Sequence, residues 1–154
     1  MVQRVSTVTE PNRQTAESSA LDGIRICDFT GQLAGAGATK ILAAFGAEVI
    51  RVEDPVHRGK WDILRGVPPW VGDARGLEAG GAFNNHNAGK LGVTLNLRDA
   101  RAKELLRELV AVSDAVTENF AAGVMERLGF GYEDLRQIRA VSYTHLTLPT
   151  ILLV

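Results

Sequence analysis

Twice along this chain a short apolar run, a helix-patterned segment and a second apolar run follow one another, and that repetition limits the fold more than any other feature. The first unit opens after the turn signal Leu21-Asp22-Gly23 with the strand-like run Ile24-Arg25-Ile26-Cys27-Asp28-Phe29. A loop of small residues follows, Thr30 to Gly37, and then a short helix over Ala38 to Phe45 with Ile41, Leu42 and Phe45 on one face. Gly46 fits the left-handed position that closes a helix, and Glu48 to Glu53 is the second strand. The second unit runs from Gly92–Leu97, through a helix capped by Asp99, to a strand at Asp114–Glu118. Leu105, Leu106, Leu109 and Val110 form the apolar stripe of that helix, which ends near Val112. Each unit predicts parallel strands joined by a right-handed crossover. Two of them together predict an α/β fold, a Rossmann-like doubly wound parallel sheet.

Around these units the pattern is looser. Asp54 to Ala82 contains Pro55, Pro68, Pro69 and both tryptophans without periodicity, and reads as an extended loop region. Met125–Leu128 and Tyr132–Ile138 read as short helices broken by Gly129-Phe130-Gly131. With 154 residues and 45% apolar content, the chain suits one domain with a real core. A net charge of −1 gives no basic field for nucleic acid or an anionic membrane, and no apolar stretch approaches the roughly 20 residues of a membrane span. The single cysteine, Cys27, lies in an apolar run where a buried, inert thiol is expected, and fits a reducing compartment. Residues 1–20 match neither a secretory signal nor a transit peptide, so a disordered leader on a cytoplasmic protein is expected.

The last fourteen residues, Val141 to Val154, carry no charge. Their Thr, Tyr and Val content fits a strand. Val141 to Thr150 also looks like the translation of a transposase-type sequencing adapter, GTC TCT TAT ACA CAT CTG ACG CTG CCG ACG. The segment is therefore read as non-native and left out of the fold prediction, which leaves His145 without a role.

Chemistry-bearing residues gather where strands end. The loop Gly31–Gly37 joins a strand to a helix, where free backbone N–H groups meet anions. Its Gly35-Ala36-Gly37 lacks the third glycine of the dinucleotide fingerprint and the Gly-Lys-Ser/Thr ending of a P-loop, so tight packing and ligand binding are both open readings. Glu53 and Asp54 stand where dinucleotide enzymes hold ribose, or are solvated turn residues. Lys90, after the polar turn Asn84–Gly89, is an anion candidate or an exposed lysine at a loop end. His86 has no carboxylate or cysteine cluster near it, which speaks against a metal site. Glu118-Asn119-Phe120 followed by Gly123–Gly129 offers a stacking aromatic, an amide and Arg127, or plain core packing with a surface charge.

In order and spacing these segments resemble the opening of the family III CoA-transferases, the group that includes formyl-CoA and carnitine CoA-transferases and α-methylacyl-CoA racemases. Three stretches carry the resemblance: Leu21–Thr30 with Ala34-Gly35 and Gly46–Glu53; Asn87-Ala88-Gly89-Lys90 with Val93–Leu97; and Val116–Phe120 with Gly123–Gly129. The resemblance implies that residues 21–140 are an incomplete large domain. CoA would be held by Gln32, Leu33 and Ala34, with Asn119, Phe120, Arg127 and Leu128 on adenine and phosphates and Lys90 nearby. It implies acyl-CoA and a carboxylic acid as substrates, no tightly bound cofactor, and an interlocked homodimer. It further implies an aspartyl anhydride intermediate whose nucleophile lies beyond this sequence, so the chain is expected to be inactive. A racemase, or a non-catalytic nucleotide-binding module, is the alternative. Two departures stand out: Ala36 replaces a proline, and Leu91-Gly92 replaces Arg-Ser, which removes a positive charge beside Lys90.

Overall fold

The computed structural model describes residues 18–57, 62–70, 72–139 and 142–145. Residues 1–17 of the expected leader lie outside it. Nine regular elements follow the first strand, β1 (Arg25–Asp28): α1 (Ala34–Ala44), β2 (Glu48–Glu53), α2 (Gly81–His86), β3 (Leu91–Thr94), α3 (Ala100–Ala111), β4 (Ala115–Glu118), α4 (Val124–Leu128), α5 (Tyr132–Ile138) and β5 (Ser142–His145). The five strands are all parallel, in the order β3-β2-β1-β4-β5.

Strand side chains alternate between two faces, and each face has its own cover. From β1, Ile26 joins Val49, Ala47 and the partly buried Leu42 and Ala43 on the α1 side. Cys27 and Phe29 point the other way, onto Leu106 and Val110 of α3, Met125 of α4 and Leu135 of α5. Helices therefore cover both faces, as the doubly wound prediction requires. Burial pushes the Cys27 thiol up to about 12, with the neighbouring Asp28 charge adding to the effect, so it is inert at neutral pH.

Most element boundaries fall within a residue or two of their expected places, and Asp99 caps α3 by accepting from the N–H groups of Arg101 and Ala102. Several features differ. Helix α1 begins at Ala34, four residues before its expected start, so Gly35 and Gly37 are helical. Their low intrinsic propensity is outweighed by packing, for Gly35 lies flush against Thr30 and Asn119. Helix α2 occupies a stretch read as loop and turn. It is held by contact with the chain around Pro69, whose carbonyl accepts from the Gly81 N–H at 2.8 Å. Strand β3 is shifted towards its N-terminus and ends at Thr94, although Leu95 adds one more bond to Glu53. Finally, β3 and β4 are not neighbours. Helix α3 carries the chain across β2 and β1, so the second unit straddles the first. Within the region expected to be structureless, short 3-10 turns form at Pro55–His57 and Ile63–Gly66. Residues 142–145, left out of the fold prediction, form the edge strand beside β4.

Candidate functional site

From β1 the chain winds to β2 and β3 on one side, then returns to β4 on the other. The loops leaving β1 and β4 consequently diverge to opposite faces at the carboxyl end of the sheet, the switch point at which open parallel sheets form a crevice. In open parallel sheets this is where ligands bind.

The loop after β1 is pinned before it reaches the helix. Asp28, fully buried, accepts at Oδ1 from the Thr30 N–H (2.8 Å), the Thr30 hydroxyl (2.6 Å) and the Thr117 hydroxyl (3.0 Å). Gly31 is gripped from β4: Asn119 Oδ1 accepts its N–H at 2.9 Å, and Asn119 Nδ2 donates to its carbonyl at 3.0 Å. Gln32 follows in a left-handed conformation (φ 58°), with its N–H 3.3 Å from Asp62 Oδ2. Then α1 starts. Leu33 is its N-cap residue, 61% exposed, and no side chain caps the helix or places a negative charge in its first turn.

The structure thus brings Gln32, Leu33 and Ala34, all exposed, beside Asn119. Phe120 comes next, partly buried against the core, its N–H donating to Glu118 Oε2 at 2.7 Å. On α4, Arg127 is exposed while Leu128 turns inward to the same core as Phe120. Lys90 is placed differently. Its side chain is 1% exposed, and its ammonium donates to Asp28 Oδ2 (3.2 Å), the Ala36 carbonyl (3.0 Å) and Asn87 Oδ1 (3.1 Å). It lies behind the start of α1, neither exposed at a loop end nor open to an anion in the crevice. Burial holds its ammonium below the ordinary lysine range, against the opposing pull of Asp28.

Sequence reasoning missed the framework that Lys90 joins. Asn87 Oδ1 also accepts from Arg51 Nη1 at 2.6 Å, and Arg51 Nη2 meets Asp62 Oδ2 at 2.5 Å. Two buried cations and two buried carboxylates therefore run in line from Asp28 to Asp62, balanced in charge. Glu53 is neither a solvated turn residue nor a free acid, since both its oxygens accept from Arg65 Nη2 and one also from Arg51 Nε. The Arg65 guanidinium carbon sits 3.6 Å from the centre of the Phe83 ring. An acid ending an apolar strand could have flagged Asp28; Asp62, in a stretch without periodicity, gave no signal. The Leu91-Gly92 departure falls on the edge strand, where Leu91 is exposed. Among the described residues, no group of three or more His, Cys, Asp or Glu side chains is placed to hold a metal ion, and no helix is long and apolar enough to cross a membrane.

The fold places this chain among the doubly wound α/β proteins, a class whose ligand sites fall at the topological switch point. It belongs to CoA-transferase family III, whose model matches residues 21–141. The chain is 42% identical over 118 residues to a succinyl-CoA:mesaconate CoA-transferase of Haloarcula marismortui, covering 77% of this chain and 29% of that protein. It is 41% identical over 121 residues to a formyl-CoA:oxalate CoA-transferase of Afipia carboxidovorans, covering 79% of this chain and 27% of that one. A CAIB/BAIF family protein from Brucella suis superposes with a TM-score of 0.73 at 32% identity, over 85% of this chain and 34% of its own. The chain thus spans under a third of the length of the curated relatives it matches.

Proposed function

We propose that this chain is the CoA-binding part of an enzyme that moves CoA from an acyl-CoA to a carboxylic acid. The observation that carries the reading is the uncapped, exposed start of α1 at the switch point, tied through Gly31 to Asn119 at the end of β4. A helix start whose own first turn carries no acidic residue attracts phosphate through its free N–H groups and its dipole. Gln32, Leu33 and Ala34 meet CoA through this edge, and Asn119, Phe120, Arg127 and Leu128 hold its adenine and phosphates. Lys90 contributes from behind, by holding the Ala36 carbonyl and hence the first turn of α1.

Transfer through an aspartyl anhydride needs a carboxylate free to attack a thioester. Asp28 and Asp62 are unsuited to it, each being fully buried and saturated with donors. Asp99 and Asp134 serve as helix caps, and Asp114 lies at the opposite end of the sheet. On this reading residues 1–154 bind CoA without turning it over. The family match ends at residue 141, one residue into the stretch Val141–Val154 read as appended sequence.

The test is calorimetric titration of the chain with CoA and with NAD. CoA should bind, NAD should not displace it, and Phe120→Ala and Arg127→Ala should each weaken binding about tenfold, the loss of one stacking or charge-assisted contact. Preference for NAD, or affinities untouched by both substitutions, would refute the assignment.

A further inference from the structure

Three consecutive peptide N–H groups, those of Thr30, Gly31 and Gln32, are each taken by a side chain from a different part of the fold. Asp28 at the end of β1 holds the first and Asn119 at the end of β4 holds the second. Asp62 holds the third, from a loop that contributes nothing to the sheet. From these contacts we infer that Asp62 is a positioning residue for the edge Gln32–Ala34. The inference rests on the CoA reading given above.

Gln32 is the one non-glycine residue with positive φ among those described. A left-handed backbone is unfavourable for a residue with a Cβ and persists only where the surroundings impose it. The Asp62 contact lies on the N–H of this residue, and Leu33 takes up helical angles immediately after it. The direction in which α1 sets out, and with it the aim of its free N–H groups, is therefore decided at Gln32.

The carboxylate is itself fixed from several sides. Its Oδ1 accepts from the Leu64 N–H at 3.0 Å and its Oδ2 from Arg51 Nη2, while Arg51 is anchored in turn by Asn87 and Glu53. Asp62 is 1% exposed, so water cannot replace a lost partner. An asparagine of the same shape fails here for a chemical reason. Both carboxylate oxygens face donors, so its NH2 group must oppose either the Leu64 N–H or the pair formed by Arg51 and the Gln32 N–H.

The experiment compares the unaltered chain with Asp62→Asn and Asp62→Ser by amide hydrogen exchange and CoA titration, with far-UV circular dichroism as the check on folding. Exchange at Gln32 should accelerate about tenfold or more while Val49 and Val116 in the sheet keep their protection, and CoA affinity should fall about fivefold or more, the scale of one lost hydrogen bond. Glycine adopts the left-handed region freely, so in a Gln32→Gly background the same Asp62 change should cost markedly less affinity. A merely structural role for Asp62 would give equal costs in both backgrounds and would overturn the inference. So would unchanged CoA affinity in Asp62→Asn. Failure of the unaltered chain to bind CoA at all would instead overturn the functional reading, and this inference with it.

Discussion

Replacing Gly35 by alanine would set a methyl carbon 2.6 Å from Thr30 Cβ and 2.9 Å from both Cγ and Nδ2 of Asn119. Two residues on, at Gly37, the same methyl would meet only His86 Cδ2, at an ordinary 3.6 Å. Both glycines lie in α1, so both substitutions gain helix propensity, about 1 kcal/mol at most. At Gly37 nothing opposes that gain. At Gly35 overpacking costs about 1–3 kcal/mol, and the displaced side chains are those whose hydrogen bonds close the loop, at about 1 kcal/mol each. The two variants should therefore move in opposite directions and differ by about 3 kcal/mol, a separation in Tm on the order of 10 °C for a domain of this size. Urea and thermal melts followed by circular dichroism will measure this, provided the urea m-value is common to all three proteins. Because Asn119 also borders the crevice, Gly35→Ala should weaken CoA binding while Gly37→Ala leaves it nearly unchanged. Stabilisation by both substitutions would mean that the close contact yields at little cost, and that the fit of α1 against the β1 and β4 loops sets nothing.

Lys90→Met should destabilise the chain by about 3–5 kcal/mol, since it leaves Asp28 buried without its counterion. Adding Asp28→Asn should recover part of the loss in urea melts; no recovery would mean the charge pair is not the cause. Asp114 governs an acid-dependent contribution. Its carboxyl is held below the usual range, chiefly by the Arg25 N–H and further by Arg139. A depressed carboxyl stabilises the folded state above its unfolded pKa of about 4, and that contribution fades as pH falls through the lower folded value. Asp114→Asn should therefore reduce Tm at pH 6 and flatten its decline between pH 5 and 3; parallel Tm profiles would contradict the assignment.

The strands and long helices were legible in the sequence because their signals are local: alternation in Val49 to Val52, the stripe Leu105–Val110, the cap Asp99. Strand order was less so, since nothing near β3 states that its neighbour is β2. Helix α1 hid its first turn behind Gly35 and Gly37, whose reason for being glycine is a contact with residues 30 and 119. The same limit applied to the site. Asn119, Phe120 and the Gln32 loop could be picked out as strand-end segments. The meeting of Lys90 with Asp28, and of Arg51 with Asp62, depends on pairs separated by 62 and 11 residues, and Asp62 lies in a stretch without periodicity.

The pairing of Asn119 with Gly31 has a consequence for the shape of the crevice. A carboxamide carries the donor and acceptor of a peptide unit, so Asn119 lays one more rung on the ladder between β1 and β4, built from a side chain. The two chains stay in step through Gly31 and part only beyond it. The point at which the two loops part is therefore set by the length of an asparagine. Glutamine would reach too far and aspartate would lack the donor for the Gly31 carbonyl, so one residue sets where β1 and β4 cease to run in step.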